Sequence, residues 1–204
     1  MYRFRIHSII NSFTFLFLPE TISLSKLRVY SLGLITLLMV PLAWLLQGMP
    51  PLAAFFRVSE LFGSWTLIGI EFGLLFGALM LILTATDASK ESFGHQIRLI
   101  RSFKLTIVDT IFLSLCAATG EEFLFRVALQ EWLHPLPVAV VFVAIHGYIN
   151  PRDWEMTKLG LVLLLFIIAL SYAVYEQGLW FCIAAHASYD FLLLLWWSSC
   201  KPER

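Results

Sequence analysis

The sequence predicts an all-α membrane protein, a polytopic bundle of about six transmembrane or re-entrant helices. Hydrophobic residues make up 59% of the 204 residues and charged residues only 14%, and the mean hydropathy is +0.82. Soluble domains carry about 25% charged residues. The chain also contains apolar runs long enough to cross a bilayer, which takes about 20 residues per helix. Together these observations exclude an ordinary soluble domain.

Six apolar segments account for the predicted helices, and we expect one domain over residues 1–204, without a linker or an internal repeat. The segments are Tyr30–Gln47, Gly63–Thr86, Leu105–Trp132, Leu136–Asn150, Leu159–Tyr175 and Leu179–Ser198. The fourth segment is short and is bracketed by Pro135, Pro137 and Pro151. As a helix it would measure about 21 Å against a hydrocarbon core of about 30 Å. We therefore expect a half helix or a re-entrant segment, which is tolerated where its ends line a protein cavity.

The basic residues of the connections predict the orientation. With six crossings, one side holds twelve of the 14 basic residues: Arg3, Arg5, Lys26, Arg28, Lys90, Arg98, Arg101, Lys104, Arg152, Lys158, Lys201 and Arg204. The positive-inside rule makes this side cytoplasmic, with both termini inside. Arg57 falls on the other side and Arg126 within the membrane. The net charge of zero indicates no particular partner, and no nucleic acid is expected.

Residues 1–28 are expected to form a cytoplasmic or interfacial segment. Its apolar stretch Ile9–Leu18 is too short to span the bilayer, and Pro19-Glu20-Thr21 does not resemble a signal-peptide cleavage site. The three cysteines, Cys116, Cys182 and Cys200, are expected to be buried small side chains and not a disulfide framework.

Adjacent glutamates interrupt the third apolar segment. Glu121 and Glu122 are followed by Arg126 one helical turn later, and a charge at the bilayer centre costs about 2.5 to 3.5 kcal/mol on an insertion scale. Glu122 and Arg126 are i, i+4 neighbours and can pair, whereas Glu121 has no partner nearby in sequence. Intramembrane ionisable residues usually face the bundle interior and indicate function. A structural ion pair is the alternative for Glu122 and Arg126.

Two further polar patterns follow on later segments. Phe142 precedes His146 by one turn on the short fourth segment, and His186 precedes Asp190 by one turn on the sixth. Counted from the predicted outer face, Glu121, His146, His186 and also Glu71 of the second segment lie about 10 to 16 Å deep, so they can converge. Glu71 could instead be structural, solvated or a second partner of Arg126.

A glutamate beside histidines in a partly dry cavity suits the activation of water. Burial makes a carboxylate a stronger base, and neutral histidines can donate hydrogen bonds to a developing oxyanion. The same groups could bind a divalent metal. However, the sequence has no His-Glu-x-x-His motif, and zinc ligands usually have tighter local spacing. No cofactor is therefore expected, and a metal is not favoured.

The three patterns resemble the motifs of the CAAX prenyl protease and bacteriocin-processing family of intramembrane endopeptidases, also called Abi or CPBP. That signature is Glu-Glu-x-x-x-Arg, Phe-x-x-x-His and His-x-x-x-Asn or Asp. Here it corresponds to Glu121–Arg126, Phe142–His146 and His186–Asp190. The resemblance covers the motif-bearing core, residues 105–198. Asp190 departs from the prenyl-protein branch, which has Asn.

The resemblance implies a catalytic site in which Glu121 activates water. Glu122 and Arg126 would form a supporting pair, and His146, His186 and Asp190 would complete the site. The implied activity is hydrolysis of a peptide bond in a peptide or membrane-anchored protein, in the lipid bilayer of a bacterial inner membrane. Alternatives are a metal-dependent form of the same protease, a catalytically silent immunity or scaffold protein, and an ion-coupled transporter using Glu71, Glu121 and Asp190. The charge layout predicts a site reached from the outer side.

Overall fold

The computed structural model describes residues 24–199, in which every regular element is helical. The predicted all-α membrane bundle is therefore confirmed. The predicted interfacial stretch Ile9–Leu18 and Cys200 lie outside the described residues. Cys116 and Cys182 are buried, as predicted, and their thiols are free.

The helices follow the six predicted segments, with short helices in two of the connections. They are α1 (Leu24–Leu37), α2 (Met39–Leu46), α3 (Leu52–Phe56), a 3₁₀ turn (Val58–Glu60), α4 (Ser64–Leu83), α5 (Asp87–Ser92), α6 (Gly94–Ser102), α7 (Ile107–Glu122), a π-helix (Phe123–Leu129), α8 (Gln130–Leu133), α9 (Pro135–Ile145), α10 (Trp154–Glu176) and α11 (Leu179–Ser199). In the described part, four helical stretches are long and apolar enough to cross a membrane: Lys26–Leu46, Ser64–Leu83, Trp154–Glu176 and Leu179–Ser199.

Helix α1 already includes Leu24, the first described residue, so this helix starts before the predicted Tyr30. Lys26 lies within it, and its amino group forms an ion pair with buried Asp109 at the start of α7. The assignment of residues 1–28 to a cytoplasmic or interfacial segment stays a prediction. The first apolar segment is broken between α1 and α2 because Pro41 has no N–H to donate to the carbonyl of Leu37.

The third segment continues from α7 through the π-helix into α8, over 16, seven and four residues. The fourth segment is short, as predicted. Its helix α9 has 11 residues, which corresponds to about 16 Å. It ends before the predicted Asn150, since Gly147 adopts a positive φ of 78° that leaves the helical conformation.

Side-chain contacts define two ends of the bundle. At the first end, which we call the basic end, Ser92 donates to Asp153 over 3.0 Å and Arg101 donates to the carbonyl of Trp197 over 3.3 Å. These bonds bring the α4–α7 connection, the start of α10 and the last turn of α11 together. The predicted grouping of basic connections on one side is thus present in the described residues.

At the opposite end, which we call the far end, the end of α2 meets the π-helix, and the start of α11 meets α3 and the 3₁₀ turn. Gln47 donates to the carbonyl of Val127 over 2.9 Å, and Trp180 donates to the carbonyl of Phe56 over 2.9 Å. The backbone N–H of Leu179 donates to Glu60 over 3.3 Å.

Glycines allow α11 and α7 to pack closely against neighbouring backbones. A Cβ at Gly69 of α4 would lie 2.5 Å from the carbonyl oxygen of Phe181, and one at Gly73 would collide with that of Ala185. Similarly, a Cβ at Gly120 would collide with the carbonyl of Thr36 in α1. Small residues at helix contacts are the usual means of close approach in membranes. These contacts hold α11 and the end of α7, which carry the polar residues, inside the bundle.

Candidate active site

The end of α7 carries the two glutamates, and the π-helix begins at the next residue. The Arg126 Nε atom donates to Glu122 Oε2 over 2.9 Å, and both side chains are 0% exposed. The i, i+4 pair that the spacing predicts is therefore formed. π-Helical turns are rare and occur frequently at functional sites. Here the π-helix directly follows Glu121 and Glu122 and contains Arg126.

Glu122 has a second partner that sequence reasoning missed. The Nδ1 atom of His186 lies 2.9 Å from Glu122 Oε1. One carboxylate therefore bonds Arg126 through one oxygen and His186 through the other. This arrangement ties α11 to the end of α7. No local pattern could have indicated it, because the two residues are 64 positions apart.

Glu121 points toward both histidines. Its Oε2 atom lies 3.6 Å from His146 Nε2 and 3.9 Å from His186 Nε2. These separations are longer than a direct hydrogen bond. Asp190 Oδ2 lies 3.5 Å from the same Nε2 atom of His186. The structure thus brings Glu121, His146, His186 and Asp190 together from three separate helical segments, as the sequence predicted.

The exposed fraction differs across this group. The side chain of Glu122 is fully buried and that of His186 is 6% exposed, whereas Glu121 is 11%, Asp190 25% and His146 34% exposed. His146 lies just beyond the end of α9, so its imidazole forms part of the opening of the site. The group therefore has a closed side at Glu122 and an open side at Glu121, His146 and Asp190.

Phe142 positions both histidines. Its ring stacks on His146 with centroids 4.4 Å apart, and it meets His186 edge-on at 5.9 Å. Its carbonyl oxygen lies 2.7 Å from His146 Nδ1. A carbonyl only accepts hydrogen bonds, so Nδ1 is the donor here. The remaining nitrogen, Nε2, faces Glu121, and it holds a proton to donate only when the ring carries both protons.

Two tyrosines follow or precede site residues closely in the sequence. Tyr148 packs against Phe93 with ring centroids 5.9 Å apart, and Tyr189 stacks on Phe166 at 5.0 Å. The Tyr189 hydroxyl is buried and has no hydrogen-bond partner among the described residues.

Glu71 does not join this group. It lies on an exposed face of α4 and makes no hydrogen bond or ion pair with the residues that the structure describes. The suggestion that it pairs with Arg126 was wrong because Arg126 is fully buried against Glu122. The face of α4 that packs on α11 is the glycine face at Gly69 and Gly73, and Glu71 lies between these positions, on the other side of the helix.

The donor groups do not form a ready metal site. In the described part of the chain, no group of three or more His, Cys, Asp or Glu residues is arranged to hold a metal ion. Both oxygens of Glu122 are engaged by Arg126 and His186, and His146 Nδ1 is engaged by a carbonyl. Independence from metal stays a prediction.

The apolar helices and the internal group of carboxylates and histidines define an integral membrane protein with a polar site inside the bundle. The family model described as type II CAAX prenyl endopeptidase Rce1-like matches residues 103–192. The resemblance to the CAAX protease family is thereby confirmed, and the matched residues include all three motifs. The match supports the general assignment of the chain as an intramembrane endopeptidase. No curated protein and no solved structure gives a significant match.

Proposed function

We propose that this protein hydrolyses a peptide bond within the membrane by means of a water molecule that Glu121 activates. The observation that carries this proposal is the contrast between the two glutamates. Glu122 is engaged by two partners, whereas Glu121 has no direct hydrogen bond and lies within 4 Å of two histidine Nε2 atoms. A free carboxylate beside two potential donors matches what water activation requires.

In the proposed reaction, Glu121 accepts a proton from water as the water oxygen attacks the carbonyl carbon of the scissile bond. The carbonyl oxygen becomes an oxyanion, which accepts hydrogen bonds from the Nε2–H groups of His146 and His186. Glu121 then passes its proton to the leaving nitrogen as the C–N bond breaks. The products are a carboxylic acid and an amine, and the enzyme returns to its starting state.

The histidines donate from Nε2 only in their doubly protonated form, since each ring's Nδ1 proton is directed at another acceptor. The charges around them favour that form. Three carboxylates, Glu121, Glu122 and Asp190, face one guanidinium, and two imidazolium rings would bring the group to neutrality. This differs from the expectation of neutral histidines. Asp190, 3.5 Å from His186 Nε2, would orient and neutralise that ring.

We further propose that the reaction proceeds without a metal ion in a multi-pass protein of a bacterial inner membrane. Both termini would lie in the cytoplasm, and the site would accept a peptide or a membrane-anchored protein as substrate. The charge layout of the connections supports this orientation. Entry from the outer side is not retained, because His146, on the open side of the site, leads into the α9–α10 connection at the basic end.

Isotope transfer in a single turnover tests the chemistry. The purified protein would be mixed in excess with peptides in H₂¹⁸O, and the products analysed by mass spectrometry. Direct attack by water places one ¹⁸O atom in the new carboxyl group of the product. An unlabelled product together with ¹⁸O in Glu121 would mean that the glutamate itself attacks, and would overturn the proposal. Failure of every peptide to be cleaved in a diverse library would favour a catalytically silent protein.

A further inference from the structure

One member of the candidate active site lies at the end of a short helix. His146 follows the last residue of α9, and at 34% exposed it is the most accessible of the group Glu121, Glu122, His146, His186 and Asp190. Glu121 and His186, in contrast, lie within longer helical stretches. The separation of 3.6 Å between His146 Nε2 and Glu121 Oε2 therefore depends on what holds this end of α9.

A Schellman motif ends α9 and connects His146 to the loop that follows it. The N–H of Gly147 donates to the carbonyl of Ala144 over 3.0 Å, and the N–H of Tyr148 donates to that of Val143 over 3.3 Å. Gly147 adopts the left-handed conformation that this motif requires, with a φ of 78°. These bonds make Tyr148 a fixed continuation of the helix end. A displacement of Tyr148 would therefore also displace His146.

Helix α10 supports Tyr148 through a glycine. A Cβ at Gly160 would lie 2.6 Å from the carbonyl oxygen of Tyr148 and 2.8 Å from its Cβ atom, so the backbone of the loop rests directly on α10. The ring of Tyr148 also packs against buried Phe93, with centroids 5.9 Å apart. Tyr148 therefore contacts both α10 and the α5–α6 connection.

Thr157 of α10 fastens the next part of the same loop. Its hydroxyl donates to the carbonyl of Asn150 over 2.8 Å and accepts from the N–H of Asn150 over 3.0 Å. A threonine in a helix commonly bonds the carbonyl four residues earlier, but here that carbonyl, of Asp153, is the more distant acceptor at 3.1 Å. Thr157 is only 9% exposed, so water has little access to replace these bonds. The hydroxyl therefore holds the loop as well as its own helix.

We propose that Thr157 and Gly160 are positioning residues that keep His146 at its distance from Glu121. Thr157 bonds the backbone of the loop, Gly160 lets Tyr148 rest on α10, and the Schellman motif connects both contacts to His146. The effect on cleavage rests on the proposed function, in which His146 donates to the oxyanion. The anchoring of His146 is measured separately, on the folded protein without a substrate.

Chemical modification of His146 tests the anchoring. Purified full-length protein in detergent would be treated with diethyl pyrocarbonate, and the modification of each histidine followed by peptide mass spectrometry. Thr157→Val removes both hydrogen bonds and keeps the branched shape. It should raise the modification rate of His146 about fivefold or more, the factor that corresponds to one hydrogen bond. Thr157→Ser keeps the hydroxyl and should react as the wild type does, and the rate at exposed His134 is the internal reference.

A matched threonine separates this effect from a general loss of packing. Thr84 is 8% exposed, and its hydroxyl donates to the carbonyl of Met80 within α4 over 2.8 Å. Thr84→Val is therefore the same change at a buried position away from the loop, and it should leave the modification rate of His146 unchanged. Thermal unfolding of both valine variants would show whether their stabilities are comparable.

Gly160→Ala tests the second contact independently, including the case in which Thr157→Val does not fold. The added methyl group forces the backbone of Tyr148 away from α10, so the modification rate of His146 should again rise. Gly94→Ala is its control, since a Cβ there would meet only the end of the Arg98 side chain, at 3.1 Å.

Cleavage kinetics connect the anchoring to the reaction. Thr157→Val and Gly160→Ala should lower kcat by a similar factor with KM unchanged, because a donor to the oxyanion acts in the transition state. Equal modification of His146 in the wild type and in both variants would overturn the proposal, as would an equal increase in Thr84→Val. Faster modification of His146 without a change in kcat would support the anchoring and contradict the donor role of His146 in the proposed function.

Discussion

The two sides of the end of α7 differ although they are formed by adjacent residues. On the closed side, Glu122 is fully buried and bonds both Arg126 and His186 at 2.9 Å. On the open side, Glu121 is partly exposed, and its nearest cationic neighbours are histidine nitrogens at 3.6 and 3.9 Å. A buried carboxylate with two good partners stabilises the fold, whereas one without a direct bond is available for chemistry. The comparison therefore predicts opposite consequences for the same substitution at neighbouring positions.

The largest expected effect is on the rate of cleavage by Glu121→Gln. Loss of a general base lowers rates by about 10² to 10⁴-fold, and the folded state should be retained because Glu121 has no direct hydrogen bond. Glu71→Gln is the matched control, because it is the same change within a membrane helix and outside the site. Peptide cleavage and thermal unfolding would be measured together. Unchanged cleavage by Glu121→Gln would contradict its role as base.

Glu122→Gln should act on stability. It leaves the Arg126 guanidinium buried without its counter-charge, which costs about 3 to 5 kcal/mol, and it weakens the contact with His186. Expression and the unfolding temperature should both fall. The double variant Glu122→Gln with Arg126→Gln should recover much of the loss, since replacing both members of a buried pair is often close to neutral. Equal loss in the single and double variants would show that the pair is not the cause.

A labelling experiment identifies which membrane face each end of the bundle occupies. On a background without cysteine, Gln177→Cys at the far end should react with an impermeant reagent in intact cells. Asp153→Cys at the basic end should react only after the cells are permeabilised. The reverse result would place the far end in the cytoplasm and would contradict the predicted orientation of the bundle.

Asp190→Asn should have a smaller effect on cleavage, within about tenfold, which is the order of one hydrogen bond. The amide keeps an oxygen that can accept a hydrogen bond from His186, and the resembling prenyl-protein branch has Asn here. Asp190→Ala removes this contact and should be slower than Asp190→Asn. If the two variants are equally impaired, the negative charge of Asp190 is what the reaction needs.

Chelators should have the smallest effect. We expect EDTA and phenanthroline to leave the cleavage rate unchanged, because Glu122 and one nitrogen of each histidine are already engaged by protein groups. Stoichiometric zinc in the active protein, with activity lost on its removal and restored on its return, would instead assign the activation of water to a metal.

The contacts that sequence predicts are those within a helical turn. Glu122 with Arg126 and His186 with Asp190 are i, i+4 pairs, so a helix alone places each pair on one face. Hydropathy likewise predicts the membrane segments. Hydropathy does not predict that Lys26 lies within the first helix, where Asp109 of α7 neutralises its charge.

The tertiary structure decided which face of each helix is buried. In a uniformly apolar helix such as α4, periodicity does not distinguish the protein side from the lipid side, so the sequence left open whether Glu71 joins the site or is solvated. The spacing Gly69, Gly73 and Gly77 carried the missing signal, since these glycines allow the backbone of α11 to approach. Glu71 lies off that stripe and is exposed.

By itself, the sequence determined an all-α membrane bundle and the set of polar residues that its helices must accommodate. The reason is that apolar composition, helical spacing and the cost of a buried charge can each be evaluated from one segment of the sequence, without knowing how the segments pack. Only the tertiary structure decided that His186 bonds Glu122 and leaves Glu121 unbonded. That choice depends on how α11 packs against α7, and packing between segments 64 residues apart is set by the whole bundle.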